Sequence, residues 1–173
     1  MPLFPAADAD LSVIADLVNS AYRGDSARQG WTHEADYLGG QRTDEPSLRA
    51  SLAPPGAQLL VWRDEPDGAA LGCAFLEPAE GSTWYLGMLT VRPDLQDRRL
   101  GRDLLQAAET VAANHGADRV RMTVINIRDT LIAWYRRRGY EPTGETRPFP
   151  YDEARFGVPQ RDDLSFVVLE KPI

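Results

Sequence analysis

Three observations in the sequence predict an α/β fold of the mixed α+β type, in a single domain over residues 1–173. Three strand patterns separated by short turn clusters lie between residues 58 and 91, and such connections favour an antiparallel meander. A helical pattern over residues 100–115 then joins the meander to another strand, which makes those two strands parallel. Further helical patterns flank this region. We therefore expect a mostly antiparallel sheet of about seven strands, flanked by helices.

The chain begins with an extended segment and a helix. Residues 1–6 contain two prolines and are predicted to be extended. Asp8 to Asp10 offers an N-cap for a helix that continues to about Tyr22, with apolar residues at helical spacing. Residues 23–40 are polar and interrupted by glycines, which is typical of a loop with a short helix. Because this long connection also holds aromatic and charged side chains, we expect it to form a wall of a binding site.

A second helix and the meander follow. The helix is expected from Asp44 or Ser47 to Leu52, because the Pro-Pro-Gly sequence at residues 54–56 ends it. The three meander strands are predicted at residues 58–63, 70–77 and 82–91.

The second half of the chain predicts two helices and three strands. The most regular helix begins near Leu100 and ends at residues 114–116, where Asn, His and Gly form an end signal. Residues 119–125 alternate basic and apolar side chains as a strand does. A further helix is predicted from about residue 128 to residue 138, stopped by Gly139. The last two strands are predicted at residues 140–145 and 164–170.

The composition excludes several classes of protein. Cys73 is the sole cysteine, so an internal disulfide and a cysteine-based zinc site are excluded, and we expect no metal and a small core residue at this position. No long apolar run or signal-peptide pattern is present, which predicts a cytoplasmic protein that does not enter membranes. The net charge of −7 argues against a general affinity for nucleic acid or anionic membrane.

One segment departs from the acidic character of the chain. Between Arg92 and Arg138 there are ten arginines and six carboxylates. In this segment the strand that ends at Val91 leads through an arginine-rich loop into the helix near Leu100, and the start of a helix presents unpaired N–H groups to an anion. The segment therefore predicts a bound anionic ligand such as a phosphate, and a solvated helix surface without a ligand is the alternative.

Two motifs stand within this order of elements. The first is Val91-Arg92-Pro93 followed by QDRRLGRDLL at residues 96–105, and the second is Asn126 followed by WYRRRGY at residues 134–140. Together with the order of elements, these motifs resemble the GNAT superfamily of acyl-CoA N-acetyltransferases over nearly the whole chain. The resemblance implies a GNAT-like sheet in which the two parallel strands splay apart, and it implies acetyl-CoA as co-substrate.

The first motif resembles the acetyl-CoA loop of that superfamily, usually Gln or Arg, two residues, Gly, one residue, then Gly or Ala. Gln96 and Gly101 match the two ends, but Arg99 stands in place of the inner glycine. If the loop needs φ > 0 at this position, the side chain is unfavourable, and Arg99→Gly should strongly tighten acetyl-CoA binding. The loop residues that the resemblance assigns to the cofactor are Gln96, Asp97, Arg98, Arg99, Leu100, Gly101 and Arg102.

The resemblance also assigns roles outside the loop. It implies that Leu89, Thr90 and Val91 offer free backbone groups to the pantetheine arm, and Gly87 before them fits a bulge, a close backbone approach or a simple packing requirement. It places Tyr135 as the general acid that protonates the departing thiolate and that contacts the cofactor, and Asn126 as a further cofactor contact.

The base and the acceptor site are less marked. An amine must lose a proton before it attacks, and the central strand over residues 82–91 carries no carboxylate. Glu34 is the predicted catalytic base, and His33, Glu77, Glu80 or a water chain are alternatives. The predicted substrate-binding residues are Trp31, Glu34, Glu77 and Tyr151, and Thr32, Arg42, Phe149 and Phe156 are further wall or lid residues.

The sequence thus predicts an N-acetyltransferase that transfers an acetyl group from acetyl-CoA to a primary amine of a small molecule or peptide, by direct attack. A CoA-binding regulatory module without catalysis is the alternative. A nucleic-acid partner is disfavoured because no recognition motif accompanies the basic segment. A homodimer is a candidate assembly.

Overall fold

The computed structural model describes residues 2–31, 33–153 and 157–173, without the side chains of Asp97 and Arg98. It contains a seven-stranded sheet and, beside it, a two-stranded ribbon. The strands are β1 (Leu3–Pro5), β2 (Leu38–Gly39), β3 (Gln58–Trp62), β4 (Gly72–Pro78), β5 (Thr83–Val91), β6 (Arg119–Ile125), β7 (Glu141–Pro148), β8 (Val158–Pro159) and β9 (Ser165–Pro172). Within the described residues, no helix is long and apolar enough to cross a membrane.

Five α-helices and two 3-10 turns connect the strands. The Asp44 carboxylate caps the third helix by accepting a hydrogen bond from the Ser47 N–H at 2.8 Å, at the first of the two start positions that the sequence left open. The long helix ends at Asn114 with His115 as its C-cap, and Gly116 follows with φ of 88°. The helices are α1 (Leu11–Tyr22), α2 (Gly24–Ala27), α3 (Glu45–Ser51), α4 (Leu100–Asn114) and α5 (Asp129–Arg136), and the 3-10 turns are Asp8–Asp10 and Pro93–Arg98.

The large sheet has the strand order β1-β3-β4-β5-β6-β9-β7. The pair β5 and β6 is parallel and every other neighbouring pair is antiparallel, which confirms the mixed, mostly antiparallel fold that the sequence predicted. Pairing between β5 and β6 covers only residues 83–85 against residues 119–121. Since β5 continues to Val91 and β6 to Ile125, the two strands splay apart beyond this point and leave an opening in the sheet.

A β-bulge in β5 lies beside this opening. The pairing with β4 passes from Cys73–Thr90 to Phe75–Gly87, so β5 holds one residue more than β4 between the two pairs. Met88 occupies the bulge with φ of 47°, a left-handed conformation that is costly for a side chain of this kind. Gly87 does not supply that conformation. Its role is to admit the ring of Tyr85, whose nearest carbon would lie 2.9 Å from an added Cβ atom.

Apolar side chains alternate between the two faces of the sheet and build two cores. On one face, Ala74 and Leu76 of β4 pack with Ala108 of α4 and Tyr135 of α5. On the other face, Phe75 joins the residues of α1 and α3. Cys73 belongs to this second core and is fully buried, and burial raises the pKa of its thiol to about 12. The predicted core role of Cys73 agrees with this position.

The ribbon of β2 and β8 was not predicted. Each of its strands has two residues, and one contains Gly39 while the other contains Pro159, so neither shows an alternating pattern. The ribbon joins the predicted loop at residues 23–40 to the segment before β9 and packs Leu38 against Ile125, Phe149 and Leu164. It therefore covers the face of the sheet near the open end of β6.

Candidate active site

Two cavities meet at the opening between β5 and β6. The first, of about 200 Å³, lies between the end of β5 and the helices α4 and α5, and we call it the helix-side cavity. The second, of about 620 Å³, lies over the face of the sheet that β2 and β8 cover, and we call it the sheet-face cavity. The residues that line both cavities are Tyr22, Leu89, Leu131 and Tyr135.

The helix-side cavity combines arginines with a tryptophan pair. Trp31 and Trp134 stand with ring centroids 6.1 Å apart, and the Arg138 guanidinium lies 3.5 Å from the ring centroid of Trp134. The start of α4 contributes unpaired backbone N–H groups and the positive end of the helix dipole. The other residues that line the helix-side cavity and not the sheet-face cavity are Val91, Gln96, Arg99, Gly101 and Arg102. This arrangement suits a ligand that carries phosphate and an apolar or aromatic portion.

Arg99 has φ of 64° and ψ of 0°, which is the left-handed conformation. It is the N-cap residue of α4, and its carbonyl oxygen accepts hydrogen bonds from the N–H groups of Arg102 at 3.0 Å and Asp103 at 3.3 Å. The loop thus adopts at position 99 the backbone conformation that glycine favours and that arginine adopts at a cost. The guanidinium is exposed and lies at the cavity.

Gln96 is fixed by two hydrogen bonds. Its Nε2 donates to the Val91 carbonyl at 3.2 Å, and its Oε1 accepts from the Trp31 N–H at 3.1 Å. The second bond draws Gly30 so close that an added Cβ atom there would lie 2.4 Å from Gln96 Oε1. Gln96 therefore fastens the loop after α2 to the turn before α4 and brings Trp31 to the helix-side cavity.

Some backbone carbonyl groups at the end of β5 already accept hydrogen bonds from protein side chains. The Leu89 carbonyl accepts a hydrogen bond from the Tyr22 hydroxyl at 2.7 Å, and the Val91 carbonyl is held by Gln96. Thr90 is buried and donates its hydroxyl to the Met88 carbonyl at 3.0 Å. Leu89 and Val91 line the helix-side cavity, whereas Thr90 does not.

Tyr135 lies where the two cavities join. It is 8% exposed and packs edge-on against Trp134 at 5.0 Å and Tyr140 at 5.7 Å between ring centroids. Burial raises the pKa of the Tyr135 hydroxyl, and the nearby Tyr22 hydroxyl raises it further, so the group stays protonated at neutral pH. Within residues 2–31, 33–153 and 157–173, no group is hydrogen bonded to this hydroxyl. It is thus placed to donate to a molecule in the cavity.

Glu34 lies at the centre of a buried ion-pair cluster in the sheet-face cavity. One carboxylate oxygen pairs with Arg23, and the other accepts from Arg128 at 3.3 Å. Burial alone raises the pKa of Glu34, but the positive charges of Arg128, Arg42 and Arg23 together lower it below its usual value. A carboxylate with both oxygens paired and a lowered pKa is a poor proton acceptor, so these contacts favour a structural role over the predicted base role.

The surroundings of Glu77 act on its carboxyl group in the opposite direction to those of Glu34. It is half-buried near the end of β4 and lines the sheet-face cavity together with Tyr85. Burial raises the pKa of its carboxyl group above the usual value. The Tyr85 hydroxyl lies 3.2 Å from the Thr123 hydroxyl, across the opening between β5 and β6. Of the carboxylates predicted as base, Glu77 is therefore better suited than Glu34 to accept a proton near neutral pH.

Several predicted site residues are found elsewhere. Asn126 lines neither cavity, and its side-chain amide bonds the Asp163 carbonyl and the Ser165 N–H, each at 3.0 Å. Tyr151 is 39% exposed and accepts a hydrogen bond from the Leu164 N–H at 2.7 Å, outside the lining of the sheet-face cavity. Trp31 lines the helix-side cavity, not the predicted acceptor side. Thr32 and Phe156, and the side chains of Asp97 and Arg98, lie outside the described residues.

Sequence reasoning missed several side chains of the two cavities, among them Tyr22, Arg23, Tyr85 and Arg128. Tyr22 fits the apolar face of the first helix, and nothing in its spacing marks a hydroxyl that reaches Leu89. Arg23 and Arg128 are single arginines among eighteen, and Tyr85 is one aromatic residue in a strand. The signal that could have found the arginines is their position directly after α1 and directly before α5, at element ends that face the opening.

No group of three His, Cys, Asp or Glu side chains that could hold a metal occurs within the described part of the chain.

A sequence model of the acetyltransferase (GNAT) family matches residues 15–140. The chain is 31% identical over 102 residues to mycothiol acetyltransferase of Beutenbergia cavernae, and the match covers 58% of this chain and 32% of the relative. The chain thus spans about a third of the length of that curated relative.

Solved structures share the fold at low identity. The ribosomal-protein-S18-alanine N-acetyltransferase of Escherichia coli aligns with a TM-score of 0.68 and 16% identity, covering 99% of this chain and 93% of that one. A GNAT family acetyltransferase of Elizabethkingia anophelis with acetyl-CoA bound aligns with a TM-score of 0.62 and 14% identity, covering 99% and 97%. At these identities the likeness concerns the fold.

Proposed function

Because the chain belongs to the acetyltransferase (GNAT) family, whose members use acetyl-CoA as co-substrate, we propose that it transfers an acetyl group from acetyl-CoA to a primary amine by direct attack. The single observation that carries the proposal is the junction of the two cavities. A ligand in the helix-side cavity and a second ligand in the sheet-face cavity meet at Tyr135, beside the bulge of β5.

The residues of the helix-side cavity fit acetyl-CoA. The pyrophosphate is assigned to the N-terminus of α4, where Arg99 and Arg102 add charge to the backbone N–H groups. The pantetheine arm is assigned to the end of β5 between Leu89 and Val91. Because the carbonyls of these two residues already have side-chain partners, the arm is expected to use their N–H groups or to displace those partners.

Tyr135 is assigned as the general acid. The acceptor nitrogen attacks the thioester carbonyl carbon, the carbon–sulfur bond breaks, and the departing thiolate takes the phenolic proton. The newly bonded nitrogen loses its extra proton, and the phenolate regains one from that nitrogen or from water. A thiol of pKa ~8.5 and a phenol of pKa ~10 make this transfer uphill by about 2 kcal/mol. The raised pKa of the buried Tyr135 adds to that difference, so the transfer requires direct contact between the two groups, which the position of the hydroxyl at the cavity junction allows.

Glu77 is assigned as the group that receives the proton of the acceptor amine, directly or through water. An alkyl amine of pKa ~10.4 loses its proton at neutral pH at a cost of about 4.6 kcal/mol. A half-buried carboxylate whose pKa is raised takes up that proton more readily than the paired Glu34 does. Glu34 is assigned to the wall of the site, as the anion that holds Arg23 and Arg128.

Thiol detection with a panel of primary amines tests the proposal. Release of CoA that depends on both acetyl-CoA and an amine, with formation of the N-acetyl product, is the expected result. Coenzyme binding in calorimetry without thiol release across the panel would favour a regulatory CoA-binding module. An acetylated enzyme intermediate would contradict direct attack.

A further inference from the structure

The sheet-face cavity carries an excess of positive charge. Its described lining contains five arginines and three glutamates, which are Arg23, Arg42, Arg121, Arg128, Arg147, Glu34, Glu77 and Glu153. This excess is local, because the chain as a whole has a net charge of −7. An acidic protein that collects arginines in one cavity is built to receive an anion there.

Partners outside the cavity account for two of these arginines. Arg121 pairs with Glu170 at 2.7 Å, and Arg147 pairs with Glu145 at 2.9 Å. The other three surround one carboxylate, since Arg23 and Arg128 contact Glu34 and the charge of Arg42 also acts on it.

Arg42 differs from the other two arginines of this group. It is half-buried at the cavity, and among the described residues none forms a hydrogen bond or an ion pair within 4.0 Å with its guanidinium. Its backbone is nevertheless fixed. The side-chain oxygen of Asn19 accepts hydrogen bonds from the backbone N–H groups of Arg42 at 2.7 Å and Thr43 at 3.1 Å. The side-chain NH2 group of Asn19 donates to the Thr43 carbonyl at 2.9 Å.

A guanidinium that forms no hydrogen bond or ion pair with a described residue, on a backbone that Asn19 holds, offers a planar pair of donors to a carboxylate, a geometry that lysine cannot provide. The cavity of about 620 Å³ has the volume of a small-molecule site. It extends from Arg42 to Tyr135, so a ligand held at Arg42 has its other end available to the cavity junction.

We infer that the acetyl acceptor is a small amino-carboxylate, such as an amino acid or a short peptide, whose carboxylate binds the Arg42 guanidinium while its amine lies toward Tyr135. This inference rests on the proposed acetyl transfer and narrows its substrate class. It reverses the simpler expectation that an acidic protein favours a purely cationic amine, because the charge that the acceptor meets is that of the cavity and not that of the whole chain.

Matched acceptor pairs test the inference. Each α- or ω-amino acid of a panel is compared with its carboxamide, which keeps the amine and removes the negative charge. The carboxylate member is expected to have a kcat/KM higher by about tenfold or more, the effect of one charge-assisted hydrogen bond. Arg42→Gln should remove most of this preference through KM, and Arg42→Lys should restore part of it. Arg49→Gln, which removes an exposed arginine paired with Asp8 and Glu45, is the matched control.

Binding separates this inference from the proposed function. Calorimetry with CoA-loaded protein measures affinity for each amino acid and its carboxamide, in the wild type and in Arg42→Gln. A carboxylate preference that Arg42→Gln abolishes supports the inference even if no acetyl transfer occurs, in which case only the proposed function fails. Equal use or equal binding of both members of each pair overturns the inference and leaves acetyl transfer intact. If neither the amino acid nor its carboxamide binds, the inference is also overturned.

Discussion

The Arg128 guanidinium donates a hydrogen bond to the Glu34 carboxylate across 3.3 Å, although the two residues are 94 positions apart in the chain. This pair fastens the loop after α1 to the start of α5, and Arg23 holds the other oxygen of the same carboxylate. The wall of the sheet-face cavity is therefore held by buried charge as well as by apolar packing.

Glu34→Gln is expected to lower the free energy of unfolding at pH 7 by about 3–5 kcal/mol, because two buried guanidinium groups lose their carboxylate. The arginines lower the pKa of Glu34, so its stabilising effect is present above the unfolded pKa of about 4.3 and is lost as the pH falls through the lower folded value. Denaturant titrations of the wild type and Glu34→Gln from pH 7 to pH 3 measure whether the difference between their free energies of unfolding decreases as the pH falls. Glu141→Gln, which breaks an exposed pair with Arg136, is the control, and a difference that does not change with pH would contradict the assignment.

Tyr135→Phe is expected to lower kcat by about 100-fold, the usual effect of losing a general acid, with little change in the KM for acetyl-CoA. Tyr140→Phe is the matched control, because Tyr140 is a buried tyrosine that donates to Glu109 at 2.9 Å. That variant should lose about 1 kcal/mol of stability and keep its turnover. Steady-state kinetics with thiol detection compare the two, and an unaltered kcat in Tyr135→Phe would argue against the role.

Glu77→Gln is expected to lower kcat/KM by about 100-fold at neutral pH. Since burial raises the pKa of Glu77, the acidic limb of the wild-type pH profile should lie above the usual value of about 4.3, and the variant should lack this limb. Glu80→Gln changes an exposed carboxylate in the neighbouring turn and serves as the control. Retention of the same acidic limb in Glu77→Gln would assign the proton to another group or to a water chain.

Arg99→Gly is expected to raise the free energy of unfolding by about 0.5–1 kcal/mol, because the relief of a left-handed arginine exceeds the entropy that glycine gains in the unfolded chain. Acetyl-CoA affinity should fall by about three- to tenfold with the lost charge. The strong tightening expected from the sequence does not follow, because the free protein already holds φ of 64° at this position. Arg99→Ala loses the same charge and keeps the strained backbone, so equal stability of the two variants would contradict this explanation.

The fold could be predicted because its signals are local. Alternation over residues 119–125 gave the bounds of β6, and the proline and glycine clusters gave the turns of the meander. The two-residue strands β2 and β8 are too short for any alternation to be seen, and their pairing depends on contacts between distant segments. For Gly87 the sequence left open a bulge, a close backbone approach or a packing requirement. The structure places the bulge at Met88, where it is set by pairing with β4, and the Tyr85 ring requires glycine at position 87.

The residues that gather around the helix-side cavity could be predicted in part from the sequence, and those around the sheet-face cavity much less so. Arg99, Gly101 and Tyr135 belong to continuous motifs, and the structure brings them together around one cavity. Glu34 was selected as a base from its residue type, but its chemistry is decided by Arg23 and Arg128, which approach it only in the folded chain. Proton affinity of a buried carboxylate is a property of its neighbours, and no spacing in the sequence records them.

The placement of Trp31 and Trp134 makes the binding of a ligand in the helix-side cavity detectable by intrinsic tryptophan fluorescence. The chain has four tryptophans, and the other two, Trp62 and Trp84, lie in the core with 5% and 7% exposure. A molecule that enters the helix-side cavity therefore changes the surroundings of one pair of indoles, whose centroids are 6.1 Å apart, whereas Trp62 and Trp84 do not line that cavity. The unlabelled protein carries its own fluorescent reporter, with which the rates of association and dissociation of acetyl-CoA, the proposed ligand, can be measured by rapid mixing.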